Sequence, residues 1–183
     1  MSPITSPVID TDRLSLRRFT AEDCDAAAAF LGDFDVAKMM ASIAHPYGAN
    51  DFLAWFAQHE AWFAAGANFP LAITLPGTGL IGAVGLHARD DGAYEFGYWI
   101  GRPHWGQGFA TEAGHALLGW FAALRPEARI KASHFDENPK SGRVLTKLGF
   151  TYTGEQLALY SLARGHAVTS LAMIYMPEPQ PPH

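Results

Sequence analysis

The stretch YEFGYWIGRPHWGQGFATE, residues 94–112, decides the fold. Tyr94, Phe96 and Tyr98 alternate with Glu95, Gly97 and Trp99, which is the two-residue period of a strand. Beyond it the period changes: Ala110, Ala113, Leu117, Trp120, Phe121 and Leu124 recur at helical intervals and predict a helix running to about Leu124. Between strand and helix lies a loop carrying Gly106 and Gly108. Glycines there tolerate positive φ and let the backbone come close to a phosphate, and the following helix presents unpaired N–H groups and the positive end of its dipole. A pyrophosphate fits such a loop without any lysine. A plain turn feeding a buried helix has the same spelling, so the loop alone does not decide between them.

Two other phosphate loops are excluded or weakened by spelling. A P-loop needs Gly-Lys-Ser/Thr, and none of the four lysines follows a glycine. A dinucleotide fingerprint needs a third glycine where Thr111 stands, and it belongs at the first strand-to-helix turn of a parallel sheet. This loop instead follows a meander. Upstream, apolar runs at 69–75 and 80–87 flank the tight turn PGTG, and ARDDGA leads into the strand at 94–100.

Further out, Leu14 and Leu16 mark a first strand, and Thr20 with Asp23 resembles a cap before a helix at 26–31. Phe52, Trp55, Phe56, Trp62 and Phe63 predict one amphipathic helix over 50–65 with Asn50 as its cap. Downstream the pattern gives a strand at 129–134, a helix at 139–148 ended by Gly149, and closing strands at 150–153 and 171–176. Hairpins mixed with a helical crossover indicate an α+β fold around one central mixed, mostly antiparallel sheet flanked by helices. A single domain is expected over 1–176. The closing PEPQPPH, 177–183, has proline spacing that no helix or central strand accepts and is expected to be a flexible tail.

With 49% hydrophobic and 17% charged residues in 183, the composition supports one packed core and opposes disorder. The net charge of −5 gives no general attraction for phosphate backbones or anionic lipid, so no nucleic-acid partner is expected. Cys24 is the only cysteine, no run reaches the ~20 apolar residues of a membrane helix, and the opening residues lack a basic stretch followed by an apolar one. These features predict a cytoplasmic protein, monomer or homodimer, without a membrane partner. His87, His104, His115 and His134 lack paired ligand spacing, and no metal is expected.

The run GYWIGRPHWGQGFATEA (97–113) followed by DENPKSGRVLTKLGF (136–150), after an opening TDRLSLRRF (11–19), closely resembles the GNAT superfamily of acyl-CoA-dependent N-acetyltransferases. Within it the chain is most similar to the RimJ/RimL branch of ribosomal-protein N-terminal acetyltransferases and their relatives. In that superfamily the pyrophosphate loop reads Arg or Gln, two residues, Gly, any residue, then Gly or Ala. Gly108, Phe109 and Ala110 match the end of the pattern, while Trp105 replaces the leading Arg or Gln, as this branch commonly shows.

The resemblance implies acetyl-CoA as co-substrate and a primary amine as acceptor, either a protein N-terminus or a small molecule. It also implies a splayed pair of strands, the one at 94–100 and the one at 129–134, with the pantetheine arm in the gap. The implied cofactor-binding residues are Tyr98, Trp99, Trp105, Gly106, Gln107, Gly108, Phe109, Ala110, Thr111, Asn138, Ser141 and Arg143. Backbone N–H groups around Tyr98 and Trp99 are implied to steady the thioester oxygen. An amine attacks a thioester only when neutral, so a proton acceptor is required; Glu95 matches the glutamate often proposed as base. Ser141 is implied to lie near the sulfur, as a catalytic residue that steadies or protonates the thiolate.

Each site residue also has a plain structural reading. Asn138 followed by Pro139 reads as a helix cap and first helical position, Ser141 as a first-turn residue, Arg143 as a solvated charge and Glu95 as a solvated strand charge or a structural ion pair. A non-catalytic acyl-CoA-binding sensor is the alternative of a different class. The joint presence of Glu95, Asn138 and Ser141 argues for the enzyme, because a sensor needs no base.

Overall fold

The computed structural model describes residues 7–176, so the expected tail at 177–183 lies outside the described residues. Eight strands form one sheet in the order β1-β2-β3-β4-β5-β6-β8-β7. They are β1 Ile9–Asp10, β2 Ser15–Arg17, β3 Leu71–Leu75, β4 Gly79–Ala88, β5 Tyr94–Ile100, β6 Ile130–Phe135, β7 Phe150–Ser161 and β8 His166–Tyr175. Every neighbouring pair is antiparallel except β5 and β6, which the helical crossover makes parallel. The sheet is therefore mixed and mostly antiparallel, as the alternation of hairpins and helices requires.

Helices cover both faces. On one face α5 (Phe109–Leu124) and α6 (Pro139–Lys147) lie over Leu71, Ile73, Val84, Leu86, Phe96 and Phe150, all buried. On the other, α1 (Cys24–Gly32) and α3 (Ala49–Phe56) lie over Ala72, Leu80 and Ala83 with Phe19 and Phe52. Leu71 and Ile73 face one layer and Ala72 the other, the alternation that a two-sided strand imposes. Two short helices complete the set: α2 (Phe34–Ala37), and α4 (His59–Ala65), whose Phe63 joins the core under α5 and α6.

The single helix expected over 50–65 is two helices. At Gln58 the main chain donates to Trp55 O at 3.2 Å instead of four residues back, a tightened turn that redirects the axis. Gly48, not Asn50, is the cap, with the Asp51 carboxylate accepting the Gly48 N–H at 2.8 Å. Thr20 and Asp23 do pair as expected, the Thr20 N–H donating to the Asp23 carboxylate at 2.8 Å.

The closing strands are longer than the sequence suggests: 150–161 and 166–175 form one hairpin, with a register shift between Tyr152 and Gln156. Most of β7 is exposed on both faces, so its residues carry no hydrophobic alternation to announce a strand. The hairpin turn is tied to the segment after α2, where Leu162 N–H donates to Ala41 O at 3.0 Å and Arg164 Nε to Lys38 O at 2.9 Å.

Candidate active site

β5 and β6 pair only at Tyr94 with Ile130 and at Glu95 with Lys131, and then diverge. Tyr94 N–H donates across this pair to Arg129 O at 2.8 Å. Strand alternation therefore turns the main-chain groups of Phe96, Tyr98 and Ile100 toward the opening, while those of Glu95, Gly97 and Trp99 face β4. The Tyr98 and Trp99 amides thus point in opposite directions. Trp105 closes the far end, its indole Nε1 donating to Ile100 O at 2.6 Å. What remains is a strand edge made of the Phe96 carbonyl and the Tyr98 amide and carbonyl, past the last β5–β6 pair at Glu95 and Lys131, able to accept an amide-bearing ligand as an added strand.

Past Trp105 the chain passes through Gly106 at φ 76° and Gly108 at φ 81°, both in the left-handed region that glycine tolerates. Phe109 then drops its ring into the core, anchoring the start of the sixteen-residue α5. Among the described residues, no amide from 106 to 111 donates to a protein group; the first helical bond is Glu112 N–H to Gly108 O at 3.1 Å. Six consecutive N–H groups without a protein partner stand at a helix N-terminus, the kind of donor set that an anion can take. Sequence reasoning missed the group that braces it: Arg13, whose Nη1 donates to Gln107 O at 2.9 Å and whose Nε donates to Glu112 at 2.7 Å.

A cavity of about 520 Å³ opens from the β5–β6 gap onto the β4–β5 surface. Gly85 and Gly97, opposite each other in register, lie in its floor, and a Cβ added to Gly97 would meet nothing within 4 Å. One wall holds Tyr98, Ser133, His134 and Ser141; the other holds Met39, Met40, Ile43, Tyr47 and Trp55. The loop at 106–111 lies outside this cavity.

On the first wall, Tyr98 Oη donates to Ser141 Oγ at 3.0 Å, and burial pushes the Tyr98 phenol above its ordinary range while that bond pulls the other way. Ser141 is held by its helix: Asn138 caps α6, its Oδ1 accepting the Ser141 N–H at 3.3 Å. Pro139 follows as the first helical residue. Arg143 is exposed on the same helix.

Glu95 lines the cavity and its carboxylate is bound by Arg89, whose Nε donates at 2.5 Å. Its register partner His87 also lines the cavity. Burial holds the His87 imidazole below its usual range, Arg89 adding to the effect and Glu95 opposing it. Sequence reasoning considered His87 only as a metal ligand; the signal that relocates it is its register opposite Glu95. Among the described residues no group of three or more His, Cys, Asp or Glu is placed to hold a metal, and no helix is long and apolar enough to cross a membrane.

Residues 13–151 match the family described as acetyltransferase (GNAT) domain. The uncharacterized N-acetyltransferase p20 of Bacillus licheniformis is 32% identical over 163 residues, covering 86% of this chain and 89% of that protein. In structure, the microcin C7 self-immunity acetyltransferase MccE, solved with acetyl-CoA and AMP, superposes with a TM-score of 0.78 at 19% identity, over 91% of this chain and 94% of that one. RimJ of Mycobacterium smegmatis, solved with CoA-disulfide, superposes with a TM-score of 0.76 at 21% identity, over 98% and 91%.

Proposed function

The chain belongs to the GNAT acetyltransferase family, and from that premise we propose that it moves an acetyl group from acetyl-CoA to a primary amine by direct attack in a ternary complex. The observation that carries this reading is the free edge of β5 beside the Tyr98–Ser141 pair, and it is supported by the partner-free amides at 106–111 on the loop that follows β5. The amides of Gly106, Gln107, Gly108, Phe109, Ala110 and Thr111 take the diphosphate, and Phe96 and Tyr98 pair with the pantetheine amides. This places the thioester beside Ser141.

The acceptor occupies the cavity floor over Gly85 and Gly97, between the sheet and the wall of Met39, Tyr47 and Trp55. As its nitrogen bonds to the acetyl carbon and the carbon–sulfur bond breaks, negative charge grows on the thioester oxygen. The Tyr98 N–H is the donor aimed into the gap to receive it; one preorganised donor commonly contributes about 3 kcal/mol. Glu95 takes the proton from nitrogen through a water, and Ser141, its Oγ already accepting from Tyr98, directs its own O–H at the departing sulfur.

The test is thiol release from acetyl-CoA by the pure protein with peptides bearing free Ala or Ser N-termini, spermidine and an aminoglycoside. Release above the acceptor-free rate with at least one amine is expected. CoA binding with no release on any amine would instead identify an acyl-CoA-binding sensor.

A further inference from the structure

Arg13 stands in the turn before β2, 94 residues from the loop it braces. Its Nη1 donates to Gln107 O at 2.9 Å, its Nε to Glu112 Oε2 at 2.7 Å, and its Nη2 lies 2.5 Å from the same carboxylate oxygen. The guanidinium carbon sits 4.6 Å above the centre of the Phe109 ring, and Nη2 is 3.5 Å from where a side chain on Gly108 would begin. Glu112 is held in turn by Thr11 Oγ1 at 2.6 Å and by the Arg13 main-chain N–H at 3.0 Å.

One of these bonds controls the direction of a proposed diphosphate donor. The Gln107 carbonyl and the Gly108 N–H belong to the same planar trans peptide and point to opposite sides of it. That peptide rotates as a unit about ψ of Gln107 and φ of Gly108, and at Gly108, at φ 81°, no side chain resists the turn. A charged donor fixed on the carbonyl does stop it, because turning would forfeit a charge-assisted bond. Glu112 already neutralises the guanidinium, so the contribution of Arg13 lies in its geometry more than in its net charge.

We propose that Arg13 is a positioning residue for the diphosphate loop: by holding the Gln107 carbonyl it keeps the Gly108 amide facing the anion. This rests on the reading of residues 106–111 as the CoA diphosphate site. A guanidinium fork stacked on a ring is not replaced by an ammonium, so Arg13→Lys should fail as Arg13→Met does.

The experiment is calorimetric titration of the full chain with CoA, beside an NMR titration with pantetheine, which lacks the diphosphate. Arg13→Met and Arg13→Lys are each expected to weaken CoA binding at least tenfold and to leave pantetheine binding within twofold. Thr11→Val loosens the same turn without touching the loop and should keep CoA affinity within threefold. In the unmodified protein the Gly108 amide resonance should move strongly on CoA addition, a readout that does not depend on any variant folding. Restored affinity in Arg13→Lys, equal loss in Thr11→Val, or a stationary Gly108 resonance would each overturn the proposal while leaving the acetyltransferase reading in place. Absence of CoA binding by the unmodified protein would overturn both.

Discussion

The Tyr98 hydroxyl crosses the opening between β5 and α6 and donates to Ser141 Oγ at 3.0 Å. A serine hydroxyl that accepts one bond still has a proton to give, and Tyr98 thereby fixes the direction in which it is given. The bond also joins the two segments that bound the gap, the diverging strand and the helix capped by Asn138.

Ser141→Ala should therefore lower kcat by roughly ten- to a hundredfold with little change in the KM for acetyl-CoA, since the lost contact acts on the departing thiolate. Tyr98→Phe, which removes only the orienting bond, should cost less. Steady-state thiol release measures both. A rise in KM at constant kcat would make Ser141 a binding residue only.

Glu95→Gln should lower turnover by about a hundredfold and leave the calorimetric affinity for CoA unchanged, because Glu95 lies on the cavity surface away from the 106–111 loop. Full turnover in the variant would move the proton acceptor to His87, which stands opposite Glu95 in the β4–β5 register and whose imidazole burial holds below its usual range.

Gly108→Val forces a β-branched side chain to φ 81°, a region it strongly avoids, and brings a carbon within 3.5 Å of the Arg13 guanidinium. CoA affinity should fall by more than tenfold in calorimetry. Retention of full affinity would place the diphosphate elsewhere.

The residues legible in the sequence were those whose local chemistry is self-contained. Gly106 and Gly108 signal a left-handed loop by themselves, and Asn138–Pro139 signals a helix start, because each feature acts within a few residues. The alternation at 94–100 likewise gave β5 its bounds. What escaped depends on partners distant in the chain: Arg13 on Gln107, and the Met39–Tyr47 wall on the β7–β8 turn that holds Ala41. The long β7 escaped for the opposite reason, since a strand exposed on both faces has no pattern to display.

Asp23 offers a stability test. Burial alone would raise its pKa, but two Arg17 bonds of 2.8 Å and the Thr20 N–H outweigh it and hold the carboxyl below its ordinary 3.8. A depressed carboxyl contributes stability that is complete above the ordinary value and lost as pH falls through the folded one. Asp23→Asn, which leaves Arg17 facing a neutral amide, should cost about 3 kcal/mol in urea unfolding at pH 7. At pH 2 the difference between variant and parent should shrink; a constant difference would show that the pair does not titrate with folding.

His59 reverses the usual rule that buried polar atoms are bonded. It is 2% exposed, both ring nitrogens are without a partner among the described residues, and Phe19, Trp55, Phe56 and Trp62 surround it. Burial, with smaller effects of Arg18 and His87, lowers its pKa from 6.5 to about 4. Between those values the unfolded chain binds a proton that the folded one refuses, so stability is full above about 6.5 and declines as the pH drops toward 4. A gap of that width corresponds to about 3 kcal/mol. His59→Leu removes both the unpaired nitrogens and the titration, so it should match or exceed the parent's stability at pH 7.5 and lose much less on moving to pH 4.5. Urea unfolding at the two pH values decides the matter: an unaltered pH slope in the variant would mean that the acid sensitivity resides in other groups.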